Sequence, residues 1–205
     1  MIRSIFFILL LSFVLIQSSC NSSDKDKSKI SIGFSQSIDH DIWRKTMDHS
    51  MQVEASLHPE VNLTIYNANR SAKKQIHDLE RFIADKVDVI IVSPFESDSI
   101  VPVIEKAREK GIPVIMVDRK ANTPNYTAFL GADNIEVGRL AGKHIASISS
   151  GHATVVEIDA DLKTSPGLER SMGFQQIVKQ FPGIKVIITD SDDFGNPKST
   201  FSKLL

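Results

Sequence analysis

The chain has 205 residues, 41% of them hydrophobic and 24% charged, with a formal net charge of -1. That length holds one large domain or two small ones, and the near-neutral charge, with no basic stripe, excludes a nucleic-acid partner gripped through its phosphates. A single cysteine excludes an internal disulfide and a cysteine-built metal site.

The N-terminus accounts for that cysteine. Arg3 supplies a short positive region, residues 5–16 are an apolar run broken only by Ser12, and Gln17-Ser18-Ser19-Cys20 follows. These are the three parts of a secretory signal, and the run falls short of the roughly 20 residues a membrane span needs. The segment resembles bacterial lipoprotein signals, which are cut before a cysteine that becomes lipidated. Ser18 and Ser19 occupy the small positions, and Gln17 stands where those signals usually carry Leu. The resemblance implies a signal peptide over 1–20, a lipid on Cys20, and export to the periplasm or cell envelope with the membrane reached through that anchor. Residues 21–29 contain no apolar side chain and read as a flexible tether.

Beyond the tether, strand and helix patterns alternate. Residues 30–34 form the first strand. After a polar loop, Asp41 caps a helix running to about 57, with Trp43, Met47, Met51 and Ala55 four apart on one face. Residues 61–66 form the second strand. A helix from Asn69 or Ser71 to about 86 carries Ala72, Ile76, Leu79 and Ile83 on its buried stripe. The third strand, 88–92, is followed by a helix over 97–110, with Pro102 in its first turn, where the missing N–H is harmless. The fourth strand, 112–117, stops abruptly at Asp118-Arg119. A short fifth strand spans 127–130. A helix over 134–149 carries Gly138 and Gly142, which would let it lie close against the sheet. Strand 155–158, helix 166–180, strand 184–189 and a helix from 197 complete the pattern.

Repeated βα units of near-continuous β-branched strands give an α/β class with parallel, doubly wound sheets. Ligands of such sheets bind beyond the carboxyl ends of the strands, where Ser35, Ser93, Asp118 and Asp159 stand. A carboxylate that only accepts, beside a guanidinium that only donates, suits a neutral polyhydroxyl ligand. No strand is followed by GxGxxG, no GxxxxGK[ST] occurs, and the six histidines are scattered. No nucleophile–base pair stands out, so neither catalysis, nor a cofactor, nor a metal is expected.

Five segments in register over 30–181 now carry a resemblance: IGFSQS, ERFIADKVDVIIVSP, KAREKGIPVIMVDR, FLGADNIEVGRLAGKHI and SPGLERSMGFQQ. The chain resembles the type I periplasmic sugar-binding proteins, with ribose-binding protein the familiar example, whose fold also forms the effector domain of LacI-like repressors. It is most similar in look to sugar-sensing ectodomains of hybrid two-component receptors. The resemblance implies two lobes that hinge closed on a sugar, the first over 30–150 and the second over 151–205. Ser35, Asp41, Trp43, Asp118, Arg119 and Arg170 would touch the ligand, with Trp43 against the sugar ring and Phe194 as a further aromatic. The plainer alternatives are a Trp43 in the core and an Arg170 on a helix surface; Asp133-Asn134 reads as a helix cap. The implied function is capture of a monosaccharide for an ABC permease or for a sensor kinase. A LacI-like regulator is disfavoured by the export signal and by the lack of a helix-turn-helix before Ile30, and an enzyme by the missing motifs. Family members continue through the rest of the second lobe and back to the first. The expectation is therefore an incomplete second lobe of marginal stability, with one sheet edge uncovered.

Overall fold

The computed structural model describes residues 29–159 and 163–190. A five-stranded parallel sheet holds β1 (Ile30–Gln36), β2 (Val61–Asn67), β3 (Val89–Val92), β4 (Val114–Val117) and β5 (Ala128–Leu130) in the order β2-β1-β3-β4-β5. A parallel pair, β6 (His152–Asp159) with β7 (Gly183–Asp190), forms a second sheet. The helices between strands are α1 (Ile42–Ser56), α2 (Ala72–Ala84), α3 (Val101–Glu109), α4 (Asn134–Ile148) and α5 (Ser165–Val178). This is the parallel α/β architecture expected. The helix expected from 197 and the aromatic Phe194 lie outside the described residues, as does Cys20.

The core sits on one face of the larger sheet. Ile90, Val92, Val114 and Met116 are fully buried beneath α2 and α3, together with Leu79, Phe82, Ile100 and Ile104. The phenyl ring of Phe82 lies over Gly33, where any Cβ would stand 2.5 Å from it. On the opposite face, α1 has no fully buried residue. The buried stripe of α2 is Gln75, Asp78, Leu79 and Phe82, rotated from the one expected. Two polar residues on a core face are tolerated because both are partnered. Gln75 donates to the Ser93 carbonyl (2.9 Å) and accepts from the Phe95 N–H (2.8 Å), while Asp78 pairs with Lys74. Helix α3 begins four residues later than expected, at Val101, with Pro102 in its first turn.

Helix α4 departs from expectation in what it packs against. Its glycines face α5 rather than the five-stranded sheet. A Cβ on Gly138 would stand 2.0 Å from the Arg170 carbonyl oxygen, and one on Gly173 would stand 2.0 Å from that of Ile135. The two helix backbones therefore touch at a crossing that only glycine permits. Helix α4 lies within 30–150, the range expected for the first lobe; it packs along α5 and lines one cavity with β6.

Candidate functional site

The abrupt end of β4 determines the shape of the site. Asp118 has φ 65, in the left-handed region that Asp tolerates better than most residues. The Arg119 N–H returns to the Val117 carbonyl (2.7 Å), closing a three-residue γ-turn about Asp118. The Asp118 N–H is held by the Leu130 carbonyl on β5 (2.8 Å). Strain of this kind, costing on the order of 1–3 kcal/mol, persists where the surroundings over-determine it and collects at ligand sites.

Two guanidinium groups, those of Arg44 and Arg119, face that carboxylate, and a third, that of Arg170, lines the same cleft. Arg44, in the first turn of α1, donates through Nη2 to Asp118 Oδ2 (3.2 Å) and through Nη1 to Asp41 Oδ2 (2.8 Å). Its side chain is 12% exposed, and its buried Nε has no hydrogen-bond partner among the described residues. Arg119 Nε lies 3.8 Å from Asp118 Oδ2, and its Nη1 donates to the carbonyls of Pro94 and Phe95 (3.4 and 3.3 Å). Gln75 fixes that same 93–95 loop, so a buried amide on α2 sets the position of Arg119. Arg170, on α5, donates through Nε to Asn134 Oδ1 (2.8 Å), and Asn134 is 2% exposed at the start of α4. Asp133 is the cap of α4, accepting from the Glu136 N–H (3.0 Å).

Trp43, Arg44, Asp118, Arg119 and Arg170 line one cleft of about 490 Å³ between the carboxyl end of the larger sheet and the start of α5. The indole of Trp43 is half-exposed there, which rules out the core alternative, and the Arg44 guanidinium carbon lies 5.4 Å from the centre of its rings. Gly131 forms part of the wall because a Cβ there would run into the ring of Phe129. The lining is an aromatic face beside convergent donors and one acceptor, the arrangement that grips a ring whose hydroxyls both give and take hydrogen bonds.

Two expected ligand residues sit elsewhere. Asp41 is the N-cap of α1, accepting from the Arg44 N–H (2.8 Å), and stands behind Arg44 rather than in the lining. Burial alone would raise its carboxyl; the Arg44 N–H, the Arg44 guanidinium and its charge outweigh that and hold the pKa below its ordinary value. Its capping geometry commits the carboxylate to the helix end, leaving it to orient Arg44. Ser35 is fully buried on the α2–α3 face of β1, beside Val92. Its Oγ and that of Ser93 lack partners among the described residues. The side chain of Asp159 lies outside what is described. Arg44 was missed because its role depends on a contact 74 residues away in sequence. The Trp-Arg pair opening the capped helix was the one local signal.

Residues 32–205 match the family described as periplasmic binding protein domain. The chain belongs to that family. It is 29% identical over 185 residues to the galactofuranose-binding protein YtfQ of Escherichia coli, an alignment covering 88% of this chain and 58% of that protein. The ribose import binding protein RbsB of Bacillus subtilis is 28% identical, with 86% and 57% covered. Among solved structures, the fructose-binding periplasmic domain of a hybrid two-component system superposes with a TM-score of 0.74 at 38% identity, covering 79% of this chain and 54% of that one. The chain thus spans little more than half the length of these relatives. Together they establish the fold as that of type I periplasmic binding proteins.

Proposed function

We propose that this protein is exported and binds a monosaccharide, without transforming it, in the cleft bounded by Trp43 and the Arg44–Asp118–Arg119 cluster. The observation that carries the reading is Asp118, held in a left-handed turn between two guanidinium groups at the end of β4, with a half-exposed indole beside it. Charged partners pre-set the direction of each hydrogen bond, so a sugar hydroxyl meets fixed acceptors and donors. The indole offers its face to the C–H side of a pyranose or furanose ring. Arg170 closes the cleft from α5. The relatives bind galactofuranose, ribose and fructose by name, which sets the panel to test.

The packing of α4 on α5 further supports placing the division between lobes at 131–133 rather than at 150, with α4, β6, α5 and β7 in one body. The protein would reach the membrane through a lipid on Cys20. It would deliver its sugar to an ABC permease or report it to a sensor kinase. The import protein and the two-component domain among its relatives support the two readings respectively. A permease and ATPase encoded alongside would favour uptake, and kinase coding sequence would favour sensing. Thermal-shift screening of the full chain against fructose, ribose, arabinose and a methyl galactofuranoside tests the reading itself. At least one sugar should raise the melting temperature in a saturable way, and no shift with any sugar would remove the proposal.

A further inference from the structure

We infer that Lys120 and Glu169 form a latch between the two bodies, a positioning pair that holds the cleft closed and presents Arg170 to Asp118. The inference rests on the cleft being the ligand site. Lys120 follows Asp118-Arg119 directly, and Glu169 directly precedes Arg170. The residues proposed to touch ligand are therefore one peptide away from the pair on both sides.

The Lys120 ammonium lies 2.7 Å from Glu169 Oε1, with the two side chains 30% and 17% exposed. It also lies 4.7 Å from the centre of the Phe129 ring on β5. A cation against an aromatic face and a partly buried carboxylate is restrained far more than a surface lysine. Lys120 grips α5 a second time, its backbone N–H donating to Ser165 Oγ (2.7 Å) in the first turn of that helix. A third link lies nearby, where the Ser97 N–H donates to the Lys163 carbonyl (3.0 Å). All three tie loops at the carboxyl end of the larger sheet to the segment that opens α5. They border a recess of about 350 Å³ of mixed lining, Ser97, Thr123 and Glu169 beside Pro124, Tyr126 and Leu168, separate from the ligand cleft.

The chemistry gives these contacts a role beyond stability. If the two bodies hinge, Arg170 moves with α5 and Asp118 with β4, so the distance across the cleft depends on how firmly the flanking link holds. A salt bridge at that place shifts the open–closed equilibrium by its own differential strength and no more. For a partly exposed pair, that is about a 1.4- to fivefold change in the closed population.

Trp43, the sole tryptophan, lines the cleft and reports its opening without any sugar. The test is acrylamide quenching of its fluorescence, paired with stopped-flow sugar release, for wild type, Lys120→Met, Glu169→Gln, Lys120→Glu and the exchanged pair Lys120→Glu with Glu169→Lys. Expected are greater quenching in all three single variants, release faster by about 1.4- to fivefold, and recovery of both in the exchanged pair. High salt should weaken the wild type in the same sense. Glu169→Gln keeps the side chain's volume, so wild-type quenching and release in that variant would overturn the latch even if a Lys120 variant folds poorly. So would an exchanged pair no better than Lys120→Glu. Because quenching is read without sugar, a latch confirmed in a protein that binds none would refute the proposed function alone. Tight sugar binding with unchanged quenching would refute the latch alone.

Discussion

Arg44→Lys is the substitution that separates charge from geometry at this site. The Arg44 fork spans two carboxylates, Nη1 on Asp41 at 2.8 Å and Nη2 on Asp118 at 3.2 Å. Asp41 is 42% exposed, so that link contributes at most about 1 kcal/mol. Asp118 is 23% exposed and Arg44 12%, so the second bond falls in the range of roughly 1.5–3 kcal/mol for charged hydrogen bonds. A lysine ammonium lacks the planar two-nitrogen fork that spans the two carboxylates here, and a lysine that keeps the Asp41 contact alone leaves Asp118, among the described residues, with Arg119 at 3.8 Å. The carboxylate is then free to turn, and the ligand loses a fixed acceptor as well as a guanidinium donor. Sugar affinity should fall at least about tenfold in Arg44→Lys, equivalent to about 1.4 kcal/mol, and further in Arg44→Ala. Calorimetric titration gives the affinities, and thermal unfolding shows that both variants fold. Wild-type affinity in Arg44→Lys would refute the argument that the fork, rather than the charge alone, builds the site.

Other outcomes follow from the same contacts. Gly173→Ala forces a Cβ to 2.0 Å from the Ile135 carbonyl, so α4 and α5 must separate. The cost should be at least about 1–3 kcal/mol, read as a lowered melting temperature; an unchanged one would mean the crossing is not that close. Asp41→Asn keeps an N-cap but removes the charge facing Arg44. Because the folded pKa of Asp41 is lowered, its charge contributes fully above its ordinary value of 3.8 and is lost as pH falls through the folded value. The stability gap between wild type and Asp41→Asn, measured by denaturant unfolding, should be level near neutrality and close in acid. A gap that widens in acid would contradict the sign. Labelled palmitate should enter the wild type and not Cys20→Ser, and equal labelling of the two would remove the lipid anchor.

Much of this architecture is legible in the chain because the physics is local. β-branched runs bounded by Ser93-Pro94 and Gly111, with Pro102 opening the helix between them, mark β3, α3 and β4. The change from Val117 to Asp118-Arg119 marks the edge where ligands bind. What escapes the sequence is non-local. Gln75 falls off the apolar stripe, yet it is buried to hold the 93–95 loop under Arg119. Gly138 and Gly142 signal a close approach without naming its partner, which proves to be α5 rather than a sheet. Asp41 carries the mark of an N-cap, and capping itself withdraws the carboxylate from the cleft. Arg44 is marked locally only by the Trp-Arg pair that opens its helix, because the partner that gives it a role lies on β4's terminal turn.

Calorimetric titration of the full chain with the sugar that shifts its melting temperature most, repeated on Asp118→Ala and Arg170→Ala, tests the central claim most directly. Removing either residue strands buried polar partners at a cost of about 1–3 kcal/mol. Saturable binding in the wild type, weakened at least about tenfold in both variants, is the predicted result. Wild-type affinity in both variants would show that the sugar binds elsewhere and that the cluster around Asp118 is not the site.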